Sequence, residues 1–219
     1  MVFSRQLSKD ELDILLTMQD FVRVAHAESD SHDYAHVFTV CLYTIEIAKA
    51  IPEPVDPFVC IAGALLHDIG KTTNIFSSIH GLFGGTLAEE YLDGINVDKD
   101  VRDIIAKVVI RHTPTSMIPP ETTEERIVYD ADTLDRLGLM GLLRGFIGKR
   151  GSMESILTKY MEKRKTDYAK LNFEVSRDLG DDLHQELLEF LFIFEERLGQ
   201  RMSSIEDIFQ KEKLIGVDK

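Results

Sequence analysis

No stretch of the chain approaches the roughly 18 uninterrupted apolar residues that a membrane-crossing helix needs, and the opening MVFSRQLSKDELDILL lacks the basic start and apolar core of a signal peptide. A cytoplasmic location with no membrane partner is the expectation. Cysteine is scarce. Cys41 and Cys60 both fall in apolar helical patterns, which suits buried thiols in a reducing compartment and argues against a disulfide or a zinc clip. Positive charge is outweighed, with 25 Lys and Arg against 38 Asp and Glu for a net charge of −13. That balance disfavours a nucleic-acid polymer or an anionic membrane, so any anionic substrate has to be drawn by a local field. Strand signals, internal repeats, low-complexity tracts and linker-like shifts in composition are all missing. What remains is a 219-residue chain, 44% hydrophobic, with enough apolar content to bury a core in one all-α domain.

The helical reading rests on spacing. Leu12, Leu15, Leu16, Gln19 and Val22 open one amphipathic stretch, and Val37, Val40, Cys41, Thr44, Ile45 and Ala48 recur near 3.6 in a second. Pro52, Pro54 and Pro57 punctuate the chain before a third helix over 57–68, and DGINVD at 93–98 separates the fourth from the fifth. TPTSMIPPETT at 113–123 is a loop that ends in a helix start, Thr122 or Thr123 followed by Glu125. Residues 152–200 read as two long charged helices. In the second, the run Phe190, Leu191, Phe192, Ile193, Phe194 is too broad for a one-sided surface helix and predicts burial on more than one face, either within the chain or in a homodimer. The architecture expected is a bundle of about eight to ten helices around a central cleft, with residues 150–219 packed on a core spanning 25–145.

Seven histidines are spread along this pattern. Any one alone is an ordinary surface or core residue, and His26 and His184 are assigned to structure. Taken together, others share a placement: His36 near the start of the second helix, His67 and Asp68 at the end of the third, His80 opening the fourth, His112 closing the fifth and Asp132 on the sixth. One bundle could bring all six to one place.

The pieces SHDYAHVFTV, ALLHDIGK, IHGLFGGTLAEEYL, VIRHT and VYDADTLDRLG, in that order, resemble the HD domain superfamily of metal-dependent phosphohydrolases over roughly residues 25–145. The resemblance implies that His36, His67, Asp68 and Asp132 hold one metal, and that His80 and His112 complete a binuclear form in which Asp68 bridges two ions. Imidazoles with carboxylates and no thiolate suit Mn, Fe, Co, Ni or Zn, with Mg conceivable at one position. His67 and Asp68, adjacent and about 100° apart on a helix, can then serve different ions. The implied activity is hydrolysis of a phosphomonoester or phosphodiester, of a nucleotide or other small phosphate ester, by a metal-activated hydroxide, with Asp68 and Lys71 in catalytic roles. No serine or cysteine stands in a nucleophile motif.

Around this set, Asp135, one turn beyond Asp132, and His32, four residues before His36, are candidates to orient the ligands from behind. Asp33 reads equally as such a residue or as a helix cap. Asp130 reads as part of a helix face or a hydrogen bond. Lys71 could neutralise a phosphate oxygen if the helix continues through Gly70, and Arg144 and Lys149 in RGFIGKRGS are further substrate-binding candidates. The glycines of HGLFGG match no phosphate loop and suit close helix packing. Lys71 and Thr72 stand where stringent-response hydrolases carry an acidic pair, the Gly-Tyr-Pro signature of the cyclic di-GMP branch is missing, and deoxynucleotide monophosphatases usually have an acid at Lys71. Two other functions share the scaffold: di-iron oxygenase chemistry, and a regulatory module that keeps metal and nucleotide binding without turnover.

Overall fold

The computed structural model describes residues 3–29, 32–72, 79–113, 117–147, 149–201 and 203–215. They form ten α-helices and, among the described residues, no strand: α1 Lys9–Ala25, α2 Tyr34–Ala50, α3 Pro57–Leu66, α4 His80–Gly94, α5 Lys99–Arg111, α6 Thr123–Arg136, α7 Gly138–Phe146, α8 Met153–Ile156, α9 Glu174–Gly199 and α10 Ile205–Lys211. The chain folds as a single all-α domain.

Local chemistry sets the starts of the site-bearing helices. Asp33 caps α2 by accepting from the His36 N–H at 3.0 Å. Pro57 follows the Asp56 cap of α3, and Thr122 with Glu125 closes a capping box on α6. Helix α3 is apolar all round, with nine of its ten residues buried, and therefore occupies the centre, packed on α1, α2, α5 and α6. Helices α4 and α5 pair closely beside it. Glycine permits that closeness. A Cβ on Gly85 would lie 2.4 Å from Ile110 Cγ1, and one on Gly70 would lie 2.2 Å from the His80 carbonyl oxygen. Gly70 thus lets the turn after α3 meet the first turn of α4.

Three expectations need correction. The third helix ends at Leu66 rather than 68. Asp68 adopts φ −103°, ψ 15°, and a 3₁₀ turn, Ile69–Lys71, follows, because Gly70 must reach the backbone of α4. Of the two long charged helices expected over 152–200, only α9 exists. The first is a broken path: α8, a π turn over Leu157–Met161, and 3₁₀ turns over Glu162–Thr166 and Tyr168–Lys170. Its backbone is bent by contacts across the chain, with Arg164 Nη1 donating to the carbonyls of Arg136 at 2.9 Å and Gly141 at 2.6 Å. Finally, Leu191 is fully buried against α6 and α7, but Phe192 and Ile193 are 62% and 55% exposed. Helix α9 lies on the outside of the bundle and only one stripe of the Phe190–Phe194 run is covered within the chain. Thr73 and Asn74 of the sequence motif, residues 114–116 of the expected loop and Gly148 of the basic cluster lie outside the described residues.

Candidate metal centre

Five helices contribute to one buried cluster. His36 arrives on the first turn of α2, His67 as the C-cap of α3, Asp68 just beyond it, His80 as the first residue of α4, His112 as the C-cap of α5 and Asp132 near the end of α6. All six are buried. Their ligand atoms fall into two groups that could each hold a metal ion, His36 with His67 and Asp132, and Asp68 with His80 and His112.

Asp68 lies between the groups, one oxygen toward each. Its Oδ2 is 3.3 Å from His36 Nε2 and 3.6 Å from His67 Nε2, while Oδ1 is 3.4 Å from His112 Nε2 and 3.6 Å from His80 Nε2. Asp132 Oδ1 lies 3.7 Å from His36 Nε2. The adjacent pair in the sequence therefore meets at one centre, His67 Nε2 facing Asp68 Oδ2 while Asp68 Oδ1 turns to the second group.

The hydrogen bonds behind the imidazoles decide what their front nitrogens offer. Nδ1 of His67 donates to the Ala64 carbonyl at 2.7 Å, and Nδ1 of His112 to the Val109 carbonyl at 2.6 Å. Nδ1 of His36 donates to Asp135 Oδ2 at 2.7 Å. With the back nitrogens protonated, the Nε2 lone pairs converge, and those of His36 and His67 meet at 3.1 Å. Two lone pairs at that distance repel unless a proton or a cation lies between them. The donor set of imidazole nitrogen and carboxylate oxygen, with no thiolate, suits a divalent transition metal.

In the metal-free protein a proton fills part of this role. Burial alone would lower His36, but its bonds to the Asp135 and Asp68 carboxylates outweigh it and push its pKa up to about 9. Burial brings His67 down to about 3 and His32 to about 4. Asp68 is held well below the usual carboxylate range, against its burial, by the ring of imidazoles that face it, His67 and His32 and, through hydrogen bonds, His112 and His36, the one of raised pKa. Asp132 is held down likewise by Arg136, whose Nη1 lies 3.2 Å from Asp132 Oδ2.

The surrounding candidates separate by contact. Asp135 holds His36 and also accepts from Arg144, which reaches its carbonyl as well, at 2.9 Å. His32 Nε2 lies 3.7 Å from Asp68 Oδ2. Asp33 works as the cap of α2, fixing the turn that carries His36. Asp130 points away from the cluster: it accepts from the Asn172 backbone and side-chain amides at 2.9 and 2.7 Å and from the Phe173 N–H at 3.1 Å, anchoring the start of α9. His26 is buried and bonded to the His32 carbonyl, and His184 stacks on Tyr168.

The cluster opens into a cavity of about 240 Å³ that also exposes five cationic side chains, Lys71, Arg136, Arg144, Lys149 and Arg164. In a chain of net charge −13 this is the local positive field that an anionic ligand requires. Lys71 reaches the cavity from the 3₁₀ turn, although the α-helix does not continue through Gly70. Arg136, Tyr160, Met161 and Arg164 escape sequence reasoning. Arg136, four residues after Asp132 on α6, could have been found by helical spacing. The other three sit on the broken segment, where no periodicity points to them.

Residues 33–137 match the family model of the HD domain, and this part of the chain is an HD domain. It is 33% identical over 168 residues to a Picrophilus torridus protein named tRNA (cytidine(56)-2'-O)-methyltransferase; the alignment covers 68% of this chain and 42% of that relative, so the chain spans less than half of the protein so named. The Bacillus subtilis uncharacterized protein YpgQ is 27% identical over 177 residues, with 75% of this chain and 83% of YpgQ covered. The structure of YpgQ in complex with ADP superposes with a TM-score of 0.63 at 20% identity, covering 85% of this chain and 98% of YpgQ. A predicted HD superfamily hydrolase from an uncultured Thermotogales bacterium superposes at 0.60 with 24% identity, covering 88% and 99%. Both superpositions show the shared all-α fold.

Proposed function

We propose that the protein is a metal-dependent phosphohydrolase acting on a small phosphate ester, a nucleotide being the favoured class. The observation that carries this is the position of Asp68, one oxygen toward each of two histidine-rich groups, at the floor of a cavity lined by cations. His36, His67 and Asp132 would hold one divalent ion, His80 and His112 a second, and Asp68 would serve both. Ions held so close would lower the pKa of water and polarise a phosphoryl oxygen, which removes the need for a protein nucleophile. The chain's own residues do the rest. Asp135 and the carbonyls of Ala64 and Val109 fix the imidazole tautomers, Arg136 keeps Asp132 ionised, and Lys71 offers a cation beside Asp68 for a non-bridging phosphoryl oxygen. The ADP held by YpgQ supports a nucleotide as ligand.

The test is a panel of phosphomonoesters, phosphodiesters and nucleotides offered to metal-stripped protein with Mn²⁺, Ni²⁺ or Mg²⁺ added separately. Turnover that depends on added metal is expected. Silence throughout, or oxygen uptake with Fe²⁺ in its place, would overturn the reading.

A further inference from the structure

The wall of the cavity opposite the metal-ligating cluster belongs to chain outside the matched HD residues. Lys149, Tyr160, Met161 and Arg164 all follow residue 137, and all line the same 240 Å³ space as Asp68 and Lys71. Arg164 is the most constrained of them. Its Nη1 is held by two backbone carbonyls, of Arg136 at 2.9 Å and Gly141 at 2.6 Å, so the guanidinium plane is fixed. Among the described residues its other nitrogens make no further hydrogen bond and no carboxylate lies within ion-pair distance of it.

The fold makes room for this arginine. A Cβ at position 145 would lie 2.8 Å from Arg164 Nη2 and 2.8 Å from Met161 Cε, so glycine at 145 is what lets the side chain lie over α7. Burial, with Arg136 and Arg144 close by, lowers the Arg164 pKa to about 10. Lys149, whose Nζ sits 4.6 Å above the Tyr160 ring, is likewise lowered by burial and by the charges of Lys71 and Arg164. Arg136 and Arg144 are matched by the Asp132 and Asp135 carboxylates, but among the described residues Arg164 and Lys149 have no carboxylate at ion-pair distance, and an anion between them would relieve their repulsion. The π turn over Leu157–Met161 is a further mark, since such turns concentrate where a helix is distorted for function.

We propose that Arg164 and Lys149 form an anion subsite that binds a negatively charged group of the substrate other than the one at the metal-ligating cluster, so that chain beyond the HD domain selects the substrate. The inference rests on the phosphohydrolase reading for its occupant but not for its chemistry. A guanidinium with one edge clamped and the other presented to a cavity suits phosphoryl or carboxylate oxygens.

Calorimetric titration of inorganic pyrophosphate into the metal-stripped full chain at low salt reads the subsite without turnover. Binding by the wild type is expected, weakened about tenfold in Arg164→Gln and about threefold in Lys149→Met, and unchanged in Lys9→Met on α1. Arg164→Gln also removes the two carbonyl contacts, so its thermal midpoint is measured alongside. If it fails to fold, Lys149→Met decides, since among the described residues that cation's one contact is the Tyr160 ring. Absence of pyrophosphate binding, or equal affinity in the folded variants, overturns the subsite. Arg164-dependent binding in a protein that hydrolyses nothing in the metal panel would defeat the phosphohydrolase reading alone. Metal-dependent turnover with binding indifferent to both variants would defeat the subsite alone.

Discussion

Two regions meet at the cavity and were built by different rules. From Tyr34 to Arg136 the chain is a set of regular helices with most of the candidate ligands at or near their ends: His36 just after the Asp33 cap of α2, His67 and His112 as the C-caps of α3 and α5, His80 opening α4 and Asp132 in the second half of α6. From Met153 to Lys170 it is a bent path of one short α-helix, a π turn and 3₁₀ turns, whose cavity-lining side chains are placed by contacts made elsewhere in the fold. In the first region, position follows from local sequence. In the second it follows from tertiary bonds such as those from Arg164 to the carbonyls of Arg136 and Gly141. The two should therefore fail differently when broken: the first in metal content, the second in ligand affinity with the metals retained.

The largest expected effect lies in the first region. Asp68→Ala removes the carboxylate shared by both groups and leaves buried imidazole nitrogens facing one another. Metal content, measured with excess metal present, should fall for both ions, and turnover by at least about 10³-fold. His80→Ala or His112→Ala should lower stoichiometry only toward one ion per chain. If saturation occurs at one ion in the wild type and both alanine variants stay fully active, the site is mononuclear.

Next comes Asp135→Asn, which keeps the shape but weakens the hold on His36. His36 titrates near 9 in the metal-free protein, so below that pH a metal must displace its proton, and affinity should climb as pH rises from 6.5 toward 9. The folded pKa is raised, so the stability contributed by protonated His36 is fully present below its unfolded value near 6.5. It is lost as pH rises through 9, and the metal-free protein should melt earlier in alkali. Without the Asp135 carboxylate the His36 pKa drops. The pH dependence of metal affinity should flatten, and affinity at pH 9 should fall about 10- to 100-fold. An unaltered pH profile would show that Asp135 serves Arg144 rather than His36.

The contrast between regions also explains what the sequence disclosed. Histidines and aspartates at helix ends are legible because helix boundaries are local events, signalled by Asp33, Pro57, Thr122 and the glycines around His80. The all-α class, the start of α4, the break between α4 and α5, the start of α6 and the convergence of the six candidate ligands were all within reach for that reason. The broken segment was not. Its residues carry the charge pattern of a helix, and nothing within Leu157–Thr166 announces that Arg164 will bond to carbonyls on α6 and α7 or that the backbone will bend to let it. Exposure of Phe192 and Ile193 corrects the intramolecular alternative alone, since apolar character predicts burial without saying whether the same chain or a second copy covers it.

Asp130 joins the two regions and should fail like the second. Two residues before Asp132 on the same helix, its carboxylate is committed to the amides of Asn172 and Phe173 at the start of α9. Asp130→Ala removes the hydrogen bonds that the buried carboxylate accepts from Asn172 and Phe173 and should cost about 1.5 to 3 kcal/mol by thermal or denaturant unfolding. Limited proteolysis should then cut first between residues 150 and 172, while metal stoichiometry holds. Loss of metal in step with loss of stability would instead make the two regions one cooperative unit.

The smallest effect, and the sharpest test of the division, is Gly145→Ala. The added methyl would meet Arg164 Nη2 and Met161 Cε, both at 2.8 Å, and both are the far ends of long side chains that can move aside. Alanine near the end of α7 also gains at most about 1 kcal/mol of helix propensity over glycine. The cost of displacing the two tips and this gain roughly cancel, so the melting temperature should stay within a degree or two. Metal binding should be untouched, because no ligating residue contacts position 145. Only the placement of Arg164 changes, and pyrophosphate affinity should fall about threefold, the scale of one partly exposed charge contact. A stable, fully metallated variant with weakened anion binding would separate the wall of the cavity from its floor. Unchanged anion binding would mean that the guanidinium reaches the same position by another rotamer, and that the glycine serves only the packing of Met161.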